Sequence, residues 1–316
     1  MMEQLKEFGG FMRSLGEWGR RQPTQAFIFG ALIATGVYFF GFLGLFIKGT
    51  YVQGVASVMG WAWQAWNPLA NQEHSKLVPL IFFILVWLAR DKIRRAPKAG
   101  ANFGLVFVGM GVALFLVAAR CLQPRMALLA IPFLIYGSVR YLWGGAVARI
   151  LLFPCVFLLF MIPVAALEQA TFRLQFAITG IIGVLSNLVG IEIQAVGTTL
   201  SAMDNSFDFQ IAEGCSGIRS LTAMTMLTAI YVHLTQKEIW KKFVIVIFSI
   251  GFALVGNVGR VFTVILVAKW IDPKLASGIY HDYSGYIFFP IALMAMLGFS
   301  KLLNLRSADG AENSSK

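Results

Sequence analysis

Apolar stretches long enough to cross a bilayer recur along this chain from about residue 26 to residue 303. A helix needs about 20 mostly apolar residues to cross hydrocarbon, where every backbone polar group must find its partner inside the segment. Windows of that length give eight expected spans: 26–47, 77–89, 103–119, 126–142, 150–167, 216–235, 243–268 and 283–303. The expected fold class is an all-α polytopic membrane protein with about eight transmembrane helices plus interfacial or re-entrant segments. Composition agrees. The chain is 58% hydrophobic and 13% charged, whereas soluble domains carry about 25% charged residues. No internal repeat and no separate soluble domain is visible.

The segments between spans differ in character. Residues 51–66 hold Trp61, Trp63 and Trp66, and indoles favour the headgroup level, so an interfacial segment is expected there. Residues 171–190 are moderately apolar but carry Arg173, Gln175 and Asn187, which suits an interfacial or re-entrant helix. Residues 191–212 alternate polar and apolar positions, the pattern of short strands in a loop. Residues 304–316 form a polar tail expected to be disordered. The first apolar run follows Arg20 and Arg21 and is long enough to span, which distinguishes it from a cleavable signal peptide. Residues 1–25 then form an N-terminal cytoplasmic segment, 26–303 the membrane domain and 304–316 a cytoplasmic tail.

The basic residues fix an orientation. Loops 1–23, 90–100, 140–149, 236–242 and 301–316 hold 17 of the 26 Lys and Arg; loops 48–76, 120–125, 168–214 and 269–281 hold 7; Arg219 and Arg260 lie within spans. Positive loops stay in the cytoplasm, so both termini are expected there, with an even number of crossings. The net charge of +11 therefore reports topology, and nucleic acid is not an expected partner.

Three polar residues fall on the extracytoplasmic side of consecutive spans. Cys215 sits in EGCSGIRSL, where a polar loop becomes an apolar helix. A helix N-terminus favours a thiolate. Arg260 lies inside an apolar run, about nine residues or roughly 13 Å from its outer end at the helical rise. A charge there should face a polar cavity or a partner. His281 opens the last span. An imidazole can take a thiol proton and return it to a leaving group, and a guanidinium can stabilise a developing oxyanion. Supporting candidates cluster nearby. Glu213, Ser216 and Gly217 flank the Cys; Arg219 is four residues on, on the same helical face; Asn257 is one turn from Arg260; Gly285 opens space beside His281.

Other polar residues read more plainly. Cys121 and Cys155 are small hydrophobes in apolar surroundings. The three cysteines show no CxxC spacing, and no metal or cofactor is implied. His74 and His233 lie at span ends as interfacial residues. Glu192, Asp204 and Asp208 suit a solvated loop face. Arg219 is equally suited to snorkelling.

The Cys in CSGIRS, the Asn-x-x-Arg of span seven and the His-x-x-x-Gly opening span eight resemble the exosortase/archaeosortase family, in the expected order. The LLFPCVFLLFMIP run at 151–163 also resembles that family's Pro-punctuated helix. The similarity covers roughly residues 75–303 and implies a membrane cysteine transpeptidase whose catalytic residues are Cys215, Arg260 and His281. It implies membrane-anchored protein substrates ending in a short motif (PEP in the best-known bacterial group), a transmembrane helix and a basic tail. These proteins are cut at the motif and passed to an acceptor whose identity the resemblance leaves open. It implies multi-pass residence in the lipid bilayer of the cell membrane, the inner membrane in a diderm bacterium, and a form without the fused C-terminal domain of some members. Two other readings stand beside it: a transporter binding an anionic small molecule at Arg260 and Arg219, and a thiol acyltransferase using the same Cys–His pair on a lipid donor. A transporter would usually show inverted repeats.

Overall fold

The computed structural model describes residues 10, 16–17, 19–47, 54–67, 72–163, 165–210 and 217–313. The chain separates into two compact units, Met1–Pro163 and Val164–Lys316.

The first unit contains α1 (Pro23–Gly36), which continues as a π-turn to Phe42, then the hairpin of β1 (Phe46–Ile47) with β2 (Val55–Ala56). There follow α2 (Val58–Ala65), α3 (Val78–Leu88), α4 (Arg90–Arg95), α5 (Gly104–Arg120), α6 (Pro124–Trp143) and α7 (Gly145–Phe157). Helices α5 and α6 pack backbone to backbone. A methyl at Gly104 would lie 2.4 Å from the Tyr141 amide, and one at Gly137 would lie 2.6 Å from the Val108 amide. Small residues provide this close approach where lipid supplies no hydrophobic drive between helices.

The tryptophan-rich segment divides its roles. Ser57 caps α2 by accepting from the Gly60 amide at 3.1 Å, one of the bonds a helix N-terminus otherwise lacks. Trp63 is exposed, as expected of an interfacial residue, but Trp66 is buried. The Trp66 indole donates to the Met161 carbonyl at 2.7 Å, and the Ser75 hydroxyl donates to the Phe160 carbonyl at 3.1 Å. Both bonds pin the 3₁₀ turn Leu158–Met161 that ends α7 ahead of Pro163. The residue before a proline resists helix, which places the stop there.

The second unit starts with α8 (Ala165–Leu188). A three-stranded antiparallel sheet follows, in the order β3 (Ile193–Val196), β4 (Thr199–Ala202), β5 (Asp208–Gln210). Next come α9 (Ile218–Thr235), α10 (Ile239–Trp270), a helical lead-in over Pro273–Tyr280, and α11 (His281–Asn313). Helix α8 buries Gln175 and Thr179 while exposing Phe172, Phe176, Ile181, Val184 and Leu188. That is the two-faced pattern of a helix with one side toward lipid. Two apolar cores hold the unit. One joins Ile178 and Ile182 of α8 and Leu200 of the sheet to Val264 and Ile265 of α10. The other joins Met224 of α9, Ile245 and Ala253 of α10, and Ala292 and Met296 of α11.

Four helices are long and apolar enough to cross a membrane: Pro23–Phe42, Pro124–Trp143, Ile239–Trp270 and Pro273–Leu305; Gly104–Arg120, Gly145–Met161 and Phe172–Leu188 are shorter apolar helices. The protein is a helical membrane protein. Its last long helix begins at Pro273, earlier than the sequence pattern indicates, because Ser277, Gly278 and His281 dilute the apolar signal there. The same helix continues to Asn313, into the polar segment expected to be disordered.

Candidate active site

Helix α10 carries Asn257 and Arg260 one turn apart, on one face. Gly256 and Gly259 let α11 approach that face. A methyl at Gly256 would lie 3.0 Å from Ala292 Cβ, and one at Gly259 would lie 3.2 Å from the Phe288 ring. Between the helices is a cleft of about 10 Å³ lined by Ser220, Asn257, Arg260, Gly285 and Phe288 among others. That is about the room one water needs.

Arg260 is held by the start of α11. Its Nε–H donates to Ser284 Oγ at 3.0 Å, and its Nη2–H donates to the His281 carbonyl at 3.0 Å. Ser284 Oγ donates to the same carbonyl at 3.0 Å. Three hydrogen bonds therefore close a ring around the guanidinium. A guanidinium has five N–H groups, so three remain, and they have no partner among the described residues. Gly285 lies across the guanidinium, where a methyl would sit 3.7 Å from Cζ, at ordinary contact distance.

This meeting requires His281 and Arg260 to share a depth. Arg260 is ten residues from the C-terminal end of α10 at Trp270, roughly 15 Å at the helical rise. Placed at the outer end of its span, His281 would not reach it. The lead-in helix begins at Pro273, with Asp272 capping the Lys274 amide at 2.8 Å. Those eight residues carry the chain back roughly 12 Å before His281. The lead-in ends in a π-turn, Ala276–Tyr280, with a kink at Gly278 (φ −100°, ψ −112°). Such π-turns concentrate at functional sites.

His281 is partly exposed, and its Nδ1 lies 3.1 Å from Asp282 Oδ1. A carboxylate on Nδ1 favours the tautomer with the proton on that nitrogen, leaving Nε2 as the basic position. Farther out on α10, Lys269 pairs with Asp204 in the β4–β5 turn. The Lys269 hydrogen bond, followed by bonds from Ser206, holds the Asp204 carboxyl well below the usual carboxylate range.

Cys215, Glu213 and Ser216 lie outside the described residues. Gly217, two residues beyond the Cys, starts α9 in the left-handed region at φ 76°. Of the remaining candidates, Asn257 and Gly285 line the cleft with Arg260, and Gly217 abuts Asn257. Arg219 is exposed and does not line the cleft. Ser284 and Asp282 are absent from the sequence-derived set. The available signal was Ser284 one turn past His281, since a hydroxyl inside a helix bonds back to a carbonyl three or four residues earlier. Among the described residues no group of three His, Cys, Asp or Glu side chains is arranged to hold a metal.

The sequence matches the family described as Transmembrane exosortase (Exosortase_EpsH) over residues 63–298. The chain belongs to the transmembrane exosortase family. The match spans the Cys215, Arg260 and His281 segments, so all three motifs lie within the exosortase region. No curated protein and no solved structure matches the chain.

Proposed function

We propose that this exosortase is a membrane cysteine transpeptidase that cleaves C-terminal sorting signals on the extracytoplasmic side. The observation that carries this reading is the fixed Arg260 guanidinium, bonded to the backbone of His281 with N–H groups to spare beside a small cleft that Ser220 and Asn257 also line. Cys215 passes its thiol proton to His281 and attacks the scissile carbonyl as thiolate. Arg260 donates to the oxyanion that forms, and the tetrahedral species collapses to a thioester as the C–N bond breaks. His281 protonates the departing amine. It then removes a proton from the acceptor nucleophile, which attacks the thioester and regenerates the thiol.

The substrates are membrane-anchored proteins with a short PEP-like motif, a transmembrane helix and a basic tail. The protein crosses the cell membrane eight times with both termini cytoplasmic, in the inner membrane of a diderm host. No cofactor enters the reaction.

The test is co-expression with a protein substrate ending in a Pro-Glu-Pro motif, one apolar helix and an Arg-rich tail. Processing is expected with the wild type and absent with Cys215→Ala at equal membrane levels. Cys121→Ala and Cys155→Ala are expected to process nearly normally. Normal processing by Cys215→Ala rules out the cysteine mechanism.

A further inference from the structure

We propose that Ser284 is a positioning residue for the reaction, acting through Arg260; the proposal rests on the transpeptidase reading above. Ser284 is 1% exposed, so solvent does not explain its hydroxyl. That hydroxyl has one proton and is used in both directions. It accepts from Arg260 Nε and donates to the His281 carbonyl. The His281 carbonyl accepts in turn from Arg260 Nη2.

An arginine side chain has several rotatable bonds, and fixing it costs conformational entropy. Catalysis by an oxyanion donor depends on its being fixed before charge develops. One bond from Nη2 alone would leave the guanidinium free to swing about that contact. The second, to Nε, sets its plane. With Nε and one Nη2–H committed, Nη1 and the other Nη2–H are the donors left for substrate. The ring also ties that plane to the backbone of His281, so the hydroxyl adds to the direct Nη2 bond a second link between the base and the oxyanion donor. Gly285 completes the arrangement by placing no side chain of its own against the guanidinium, where a methyl would sit 3.7 Å from Cζ.

A threonine preserves the hydroxyl and suits the same back-bonded helical site. Alanine removes it. Cysteine keeps a similar volume but is a weak hydrogen-bonding group. The experiment is pulse-chase measurement of processing of the Pro-Glu-Pro substrate described above. Variants are Ser284→Ala, Ser284→Thr and Ser284→Cys, in both wild-type and Arg260→Lys backgrounds, with membrane level and thermal unfolding in detergent recorded.

In the wild-type background, Ser284→Ala is expected to slow processing roughly tenfold, less than the 10²-fold scale of losing an oxyanion donor outright. Ser284→Thr is expected to restore most of the rate. In the Arg260→Lys background, which has no Nε–H to hold, Ser284→Ala is expected to cost less than about twofold, since residues acting through one another are not additive. Should the alanine variant fail to insert, Ser284→Cys serves as the weakened-bond variant in the same cycle. A wild-type rate for Ser284→Ala overturns the proposal. So does a tenfold loss that persists unchanged in the Arg260→Lys background, because the serine would then act elsewhere. Failure of the cysteine mechanism is read separately, from Cys215→Ala.

Discussion

Gly217 and Asn257 are packed so tightly that the glycine has no room for a side chain. A methyl at Gly217 would lie 2.7 Å from Asn257 Nδ2 and 2.8 Å from Asn257 Cγ. The glycine's φ of 76° is also one that other residues adopt only under strain. Asn257 is nearly buried, so it cannot swing into solvent to yield. The residue that begins helix α9, two positions after Cys215, is thus seated directly on the helix that carries Arg260.

Gly217→Ala is therefore expected to destabilise the protein by roughly 1–3 kcal/mol from backbone conformation alone, with the clash added. Thermal unfolding in detergent reads this. Adding Asn257→Ala removes the two closest atoms and is expected to recover the steric part only. An alanine variant that melts with the wild type would show that the α9 start is free to move.

Arg260→Lys keeps the charge but loses Nε–H and the planar fork. Lysine has three N–H groups on a single nitrogen, so bonding both Ser284 and the His281 carbonyl would leave it one donor and no planar fork to aim it. A loss of about 10²-fold or more in processing is expected, on the scale of one oxyanion donor, and Arg260→Ala should be at least as inactive. Full activity of a properly inserted Arg260→Lys would reduce Arg260 to a point charge.

The proposed topology places positions 95 and 239 in the cytoplasm and 205 and 275 outside. Enzyme-reporter fusions at these four positions are the direct check. An extracytoplasmic signal at 95 would put the cleft on the wrong side for exported substrates.

The Asp204–Lys269 pair ties the β4–β5 turn to the C-terminal end of α10. Because folding lowers the Asp204 pKa, its contribution is present above the unfolded value of about 3.9 and fades as pH falls below it. Both groups are solvent-exposed enough for the effect to be small and salt-sensitive. The melting temperature of Asp204→Asn is expected to fall slightly below wild type at pH 7, and the gap to be smaller at pH 3, closing fully only as pH falls through the lowered folded value. A gap of the same size at both pH values would mean the asparagine acts through something other than charge.

Much of this site is legible in the sequence because it follows from helical spacing and from the cost of charge in apolar surroundings. Asn257 and Arg260 share a face by spacing alone, and an arginine in a long apolar run has to meet a polar partner. The small residues beside them signal a close helix approach, and the structure supplies it through Ala292 and Phe288. The strand pattern of 191–212 is visible as alternation. The depth of His281 was not legible. It depends on the helix starting at Pro273 and on a π-turn, and windowed hydropathy sees neither. The windows give eight spans and helix length gives four for a related reason: α3, α5, α7 and α9 are too short or too polar to qualify on length and composition, so span windows and helix lengths count different things. Ser284 is not legible because a lone serine in a helix carries little signal until its neighbour is known to be an arginine.

The π-turn at Ala276–Tyr280, kinked at Gly278, carries an extra residue in the path from the lead-in helix to α11. An α-helix advances about 100° around its axis per residue, so the azimuth of everything downstream depends on that one insertion. His281, Ser284 and Gly285 face Arg260 in this phase. Excising a single residue from the turn would let it relax to ordinary α-helix and rotate all three off the arginine together. Every side chain of the site would still be present. The reactive face is thus set by chain length as much as by residue identity, and this short segment is a place where insertions and deletions should be far less tolerated than substitutions.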